Sequence, residues 1–266
     1  MSRLALALLV APLVAFAQDK PVDAGPYVPS PQSVVSDMLK LAEVGPEDFV
    51  IDLGSGDGRI VRTAALIFGA RGFGVEIKDE LVRQANADAR REGIAERVQF
   101  INADLFKTDI SQATVLTLYL LPHTVNLLKD KLLAELRPGT RVLSHDYPLS
   151  GWIPEKYVQM DLEDKVKISG VTTTLIYLYV VPANVGGRWQ ASASGRAMTL
   201  ELKQQITRVS GTARGGGKDA ALEDVKLRGG QLSFRLAGKT YRGRVNGARI
   251  EGEIAGGGAW SAQRVQ

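Results

Sequence analysis

The residues best equipped for chemistry lie in one short run. From Val50 to Val61 the chain reads Val-Ile-Asp-Leu-Gly-Ser-Gly-Asp-Gly-Arg-Ile-Val. An apolar stretch ends in Asp52, and glycines follow at 54, 56 and 58. Glycine lets backbone turn sharply and approach a ligand with no side chain in the way. A helix beginning just behind the bend offers unpaired N–H groups to a ligand's polar atoms. In open α/β sheets ligands bind beyond the carboxyl ends of the strands, where this bend would fall. Asp52, Gly54, Ser55, Gly56 and Gly58 are therefore candidate ligand contacts. Two further acids sit after later apolar runs: Glu76, 24 positions beyond Asp52, and Asp104 in Asn102-Ala103-Asp104-Leu105. A carboxylate at either position can accept hydrogen bonds from a ligand's hydroxyls or amine; the plainer alternative for each taken alone is a helix cap or a solvated loop acid.

Spacing separates the two cofactor classes that use such a bend. A dinucleotide fingerprint requires glycine at its first, third and sixth positions, and here the sixth is Arg59. The pattern acid-x-Gly-x-Gly-x-Gly is met throughout. In this respect the segment resembles the first motif of class I S-adenosylmethionine-dependent methyltransferases. The resemblance implies a Rossmann-like α/β fold with a seven-stranded sheet, S-adenosyl-L-methionine as cofactor with Glu76 accepting from both ribose hydroxyls and Asp104 from the exocyclic adenine amine, and no metal.

Many amine methyltransferases of nucleic acids and glutamine side chains carry Asn/Asp-Pro-Pro-Tyr/Phe after the fourth strand. This chain has Tyr119-Leu120-Leu121-Pro122-His123 instead. A closer resemblance spans about residues 25–182. Tyr27-Val28-Pro29-Ser30-Pro31, the glycine run and Asp104-Leu105-Phe106 are similar to the family of the ATP-synthase c-subunit lysine methyltransferase. Its prokaryotic relatives share the segments at 119–122 and Ser144-His145-Asp146. The resemblance implies transfer to a protein lysine, with a protein as partner. It also implies that Tyr27 and Pro29 fold over the cofactor as a lid; the plainer alternative is a loose linker.

Methyl displacement at a sulfonium needs alignment of a neutral nucleophile more than covalent help. A lysine must first lose its proton, so burial or an acceptor has to favour the free amine. Tyr119 is the candidate for orienting that amine, Asp146 for accepting its proton directly or through water, and His145 for the same task. The alternative is that Tyr119 packs at the sheet edge and that His145 and Asp146 form a turn.

The elements that must hold these residues alternate. Helical spacing marks Ser33–Ala42, Ile60–Phe68, Glu80–Arg91 and Thr124–Leu136, and short apolar runs mark strands at 49–51, 73–75, 98–101, 114–118 and 141–144. This alternation argues a parallel sheet with right-handed crossovers. Tyr157–Val166 and Thr172–Val181 have no helix between them and read as an antiparallel hairpin at the sheet edge. Beyond a linker at 183–187 the pattern becomes short strands and Gly-rich turns. Seven or eight strands over 188–266 would make a small all-β barrel or sandwich, with Asp219, Glu223 and Asp224 as a solvated turn.

Charge divides at the same place. Residues 1–182 hold 19 Lys and Arg against 23 Asp and Glu, and residues 183–266 hold 14 against 6, with 16 of the 28 glycines. The acidic first part argues against a nucleic-acid substrate, which a basic face would steer. The basic second part either contacts anionic envelope polymers or headgroups, or is a solvated surface. Arg3, the apolar run Leu4–Ala17 and Ala15-Phe16-Ala17 have the form of a signal peptide, 1–17, leaving 18–182 as the catalytic domain. Export, to a periplasm, is the expectation; an uncleaved anchor is the alternative. Fourteen apolar residues are few for a mature transmembrane span, and none is expected after removal of the leader. Cysteine is absent, which excludes disulfides and a Cys-linked lipid. Three function classes follow: a protein-lysine methyltransferase, a small-molecule or lipid methyltransferase, and a non-catalytic cofactor- or ligand-binding module of the envelope.

Overall fold

The computed structural model describes residues 25–166 and 170–265; the leader at 1–17 lies outside them. In the first part, α1 (Gln32–Leu41) precedes β1 (Phe49–Leu53), α2 (Arg59–Phe68), β2 (Arg71–Glu76), α3 (Asp79–Arg91) and β3 (Val98–Asn102). Then come β4 (Val115–Leu118), α4 (Pro122–Glu135), β5 (Arg141–His145), β6 (Lys156–Asp161), a 3-10 turn (Glu163–Lys165) and β7 (Thr173–Val180). They form a seven-stranded sheet in the order β3-β2-β1-β4-β5-β7-β6. Neighbours from β3 to β5 are parallel, and β7 runs antiparallel to both β5 and β6.

Alternation along β1 explains the layers. Val50 faces the core shared with α1, α2 and α3, whereas Ile51 and Leu53 face the opposite core with α4. All three are fully buried, each worth about 1.5–3 kcal/mol. On α2, Ile60, Val61, Ala64 and Ala65 make one buried stripe, ended by Gly69 at positive φ. Because β2 and β4 leave β1 in opposite directions, the order reverses between β1 and β4. That switch point opens a crevice at the strands' carboxyl ends.

The second part is one antiparallel sheet. Its strands are β8 (Gly187–Ala193), β9 (Arg196–Gln205), β10 (Arg208–Gly215), β11 (Lys218–Ala221), β12 (Glu223–Arg228), β13 (Gln231–Leu236), β14 (Lys239–Asn246), β15 (Arg249–Ile254) and β16 (Ala259–Arg264). The order is β11-β10-β9-β8-β16-β15-β14-β13-β12. The edge strands β11 and β12 are consecutive in the chain, so the sheet curls into a near-barrel. Its core includes Trp189, Phe234, Tyr241 and Trp260, with the Phe234 and Trp260 rings edge to face at 5.3 Å. Gly243 and Gly252 sit directly opposite each other and clear the space that the Trp260 indole occupies.

Three expectations need correction. Among the described residues there are nine strands here, not seven or eight, and the residues read as a solvated turn belong to β11 and β12. The register places Asp219 opposite Arg214, where the carboxylate and guanidinium pair. The bend falls within β12 as a bulge, with Asp224 at φ 49°. Local charge looked like a turn because cross-strand pairing is not written in local sequence. In the first part, β6 ends at Asp161, earlier than Val166, and the 3-10 turn that follows brings in Lys165.

The near-barrel abuts the end of the first sheet remote from the crevice. Gly229 accepts from Ala183 N–H and lies against Gly139, just before β5, while Arg228 pairs with Glu155 at 2.5 Å.

Candidate active site

A cleft of about 1100 Å³, its open mouth included, fills the crevice. Asp52, Gly54, Ser55, Gly56, Glu76, Asp104, Tyr27, Pro29 and Tyr119 all line it. The chain thus brings both nucleoside-binding candidates to the same side as the glycine bend. Gly58, one turn back, caps α2 with φ 78° and leaves room for Phe100.

The bend is built by the glycines together. Gly54 and Ser55 both donate to Val75 O at 2.9 Å, and Gly58 donates to Ser55 O at 2.8 Å. Gly54 and Gly56 have φ of 81° and 54°. A Cβ on Gly56 would stand 2.4 Å from the ring of Tyr27, so the ring lies directly on the bend. Glu76 is buried beneath it, accepting from Gly56 N–H at 3.0 Å and Lys78 N–H at 2.9 Å through different oxygens. Each oxygen keeps a lone pair for a ligand hydroxyl. Asp104 caps the turn after β3, accepting from Phe106 N–H at 2.8 Å.

Asp52 is 2% exposed and accepts a 2.6 Å hydrogen bond from Thr117. Burial pushes its carboxyl from 3.8 up to about 7, and the nearby Glu76 and Asp57 push the same way against the Thr117 bond. Beside it the hydroxyl of Ser55 is buried with no partner among the described residues, an orphan that a bound polar ligand would satisfy.

The segment 25–31 crosses this bend as a strap. Arg59 grips Asp57 through two nitrogens and donates through a third to Ser30 O at 2.8 Å. Burial, and then the Asp57 carboxylate, raise the Tyr27 phenol above its usual value.

On the other side, Tyr119 follows β4 and donates to Asp146 Oδ2 at 3.3 Å. Burial, reinforced by Asp146, raises its pKa well above the ordinary phenol value, so it stays a phenol. Asp146 takes φ 63° and accepts at Oδ1 from Lys165 Nζ at 2.7 Å and Leu175 N–H at 3.1 Å. Burial alone would raise this carboxyl, but the positive and N–H partners around it hold it below its usual value. His145 is fully buried, outside the cleft lining, with the Tyr119 ring stacked on it at 3.9 Å. His123 is exposed at the start of α4.

Sequence reasoning did not single out Arg59, Ser30, Thr117 or Lys165, nor Tyr147, which also lines the cleft. The Asp57-x-Arg59 spacing at a helix start is a signal that can be read. Lys165 gave none, since it reaches Asp146 only through the turn after β6.

Strand order, switch-point cleft, glycine bend and the two acids that line the same cleft define a class I S-adenosylmethionine-dependent methyltransferase. Residues 52–156 match the model of the ANTKMT methyltransferase domain. The chain is 43% identical over 157 residues to a protein-lysine N-methyltransferase of Saccharolobus islandicus, covering 59% of this chain and 93% of that protein. It is 34% identical over 130 residues to the ATP synthase c-subunit lysine N-methyltransferase of Xenopus laevis, covering 49% of this chain and 57% of that one. Among solved structures, an RNA methyltransferase from Salinibacter ruber in complex with S-adenosyl-L-homocysteine is similar. It is 45% identical, with a TM-score of 0.53, over 59% of this chain and 96% of that one. The chain belongs to the family of S-adenosylmethionine-dependent methyltransferases that includes the archaeal protein-lysine enzyme. The family match ends at residue 156, before the near-barrel begins.

Proposed function

We propose that the chain methylates the ε-amine of a protein lysine. The observation that carries this reading is the phenol of Tyr119 on the cleft wall. Its proton is committed to Asp146, which leaves the oxygen to accept from an incoming amine N–H. S-adenosylmethionine supplies an electrophilic methyl group on a sulfonium. Asp52, Ser55 and the bend would hold its methionine end, Glu76 its ribose and Asp104 its adenine. Tyr119 then aligns the neutral amine's lone pair, and alignment is the main contribution to rate. Asp146, paired with Lys165 Nζ at 2.7 Å, fixes the phenol and can accept the substrate's proton through it or through water. The archaeal and amphibian lysine methyltransferases described above support the same acceptor.

The test is transfer of isotope-labelled methyl from S-adenosylmethionine into a cell extract by the purified protein, followed by mass spectrometry. Methyl-lysine in a protein supports the proposal. Label confined to RNA would favour a nucleic-acid acceptor, which the Salinibacter RNA methyltransferase raises. Label only in a small molecule or lipid would favour the small-molecule or lipid methyltransferase, and no transfer at all the non-catalytic binding module.

Export is part of the proposal and rests on Arg3, the apolar run and Ala15-Phe16-Ala17. Among the described residues no helix is long and apolar enough to cross a membrane. Contact of the basic near-barrel with an anionic envelope surface is likewise proposed from its charge. Cell fractionation, with the mature N-terminus sequenced, decides the first; sedimentation with anionic vesicles decides the second.

A further inference from the structure

Ser30 and His145 are 115 positions apart, yet Ser30 Oγ lies 2.9 Å from Nδ1 of the imidazole, and both residues are buried. The other ring nitrogen faces Thr174 Oγ1 at 3.2 Å. Proton directions follow from the far end of this chain of bonds. Thr174 Oγ1 is 3.3 Å from Asp146 Oδ1, and an ionised carboxylate only accepts. Thr174 therefore donates to Asp146 and accepts from Nε2–H. Nδ1 is then the bare nitrogen and accepts the proton of Ser30. Burial lowers the imidazole pKa to about 4, consistent with a neutral ring. The polarised line thus runs from the strap, through His145 and Thr174, to the carboxylate that also accepts the Tyr119 phenol.

Both ends of the line matter to the site. Ser30 belongs to the strap whose Tyr27 ring lies on Gly56, and its carbonyl is held by Arg59. Tyr119 meets the line twice, through its hydroxyl on Asp146 and its ring on the imidazole. We propose that His145 is a positioning residue that fastens the cofactor strap to the acceptor side, so that seating of the strap and aim of the Tyr119 hydroxyl depend on each other. The role in catalysis rests on the methyl-transfer reading; the mechanical link does not.

Three variants of the full chain test it. Ser30→Ala removes only the strap hydroxyl. His145→Asn places an amide near Nδ1 and keeps a partner for Ser30, whereas His145→Gln reaches towards Nε2 and keeps one for Thr174. Calorimetric titration with S-adenosylhomocysteine should show about threefold to tenfold weaker binding for Ser30→Ala, the worth of one hydrogen bond, and for His145→Gln, but little change for His145→Asn. The ring resonances of Tyr119, followed by NMR, should move in Ser30→Ala although that residue does not touch the ring. Ser30→Ala binding like the wild type with the Tyr119 resonances unmoved would overturn the link, and it does not depend on a buried histidine variant folding. Label transfer to extract protein should fall in Ser30→Ala even at saturating cofactor. If the wild type transfers no label to any protein while the binding and NMR changes appear, the lysine reading fails and the link stands.

Discussion

Asp52 sets a sign that can be measured. Its carboxyl titrates near 7 in the cofactor-free protein, while S-adenosylmethionine brings a sulfonium and an ammonium. A cation favours the ionised form, so the pKa falls on binding and a proton is released when binding occurs near or below pH 7. Affinity should therefore rise with pH until about 7 and then level. At pH 6 roughly a tenth of the carboxyl is ionised, which weakens binding about tenfold, or about 1.4 kcal/mol. Asp52→Asn removes this titration, so its affinity should be weaker at pH 8 and much flatter with pH. Stability moves the other way. The folded state binds the proton up to about 7 and the unfolded chain only to 3.8, so stability declines as pH rises across that window. The limit is about 4 kcal/mol. Asn can still accept from Thr117, so the variant should be about 2–4 kcal/mol more stable than wild type at pH 8 without cofactor. Calorimetry from pH 5.5 to 8.5, with urea unfolding at the same pH values, measures both. A flat affinity profile for the wild type, or an unchanged slope in Asp52→Asn, would refute the reasoning.

Tyr119→Phe should lower kcat by about tenfold to 100-fold, the worth of one or two hydrogen bonds to the acceptor. It should leave the cofactor Kd within about threefold, which titration checks. Glu76→Ala should weaken cofactor binding by about 100-fold, by removing a buried side chain with an acceptor oxygen for each of two hydroxyls, with kcat at saturation changed far less. Gly252→Ala should destabilise the protein by about 1–3 kcal/mol, because the new Cβ would stand 1.9 Å from Arg242 O. Thermal unfolding followed by tryptophan fluorescence reads that loss directly.

What the sequence determined by itself was local in origin. Asp52, the three glycines and the apolar run before them are consecutive, so the bend and its strand-to-helix setting could be read from spacing alone. Glu76 and Asp104 were legible because each follows a strand of the same alternating pattern, and parallel strands deliver their ends to one side. The tertiary structure alone decided what depends on distant segments meeting. His145 ranked with Asp146 as a proton acceptor on sequence grounds, and only packing shows its ring behind Tyr119 with both nitrogens engaged by Ser30 and Thr174. Lys165 meets Asp146 because β7 inserts between β5 and β6, an order that local periodicity does not encode. The ninth strand of the near-barrel was hidden likewise, since the partners of Asp219 and Glu223 lie across strands. Periodicity records which face a residue presents, whereas the neighbour it finds there is fixed by chain topology and packing.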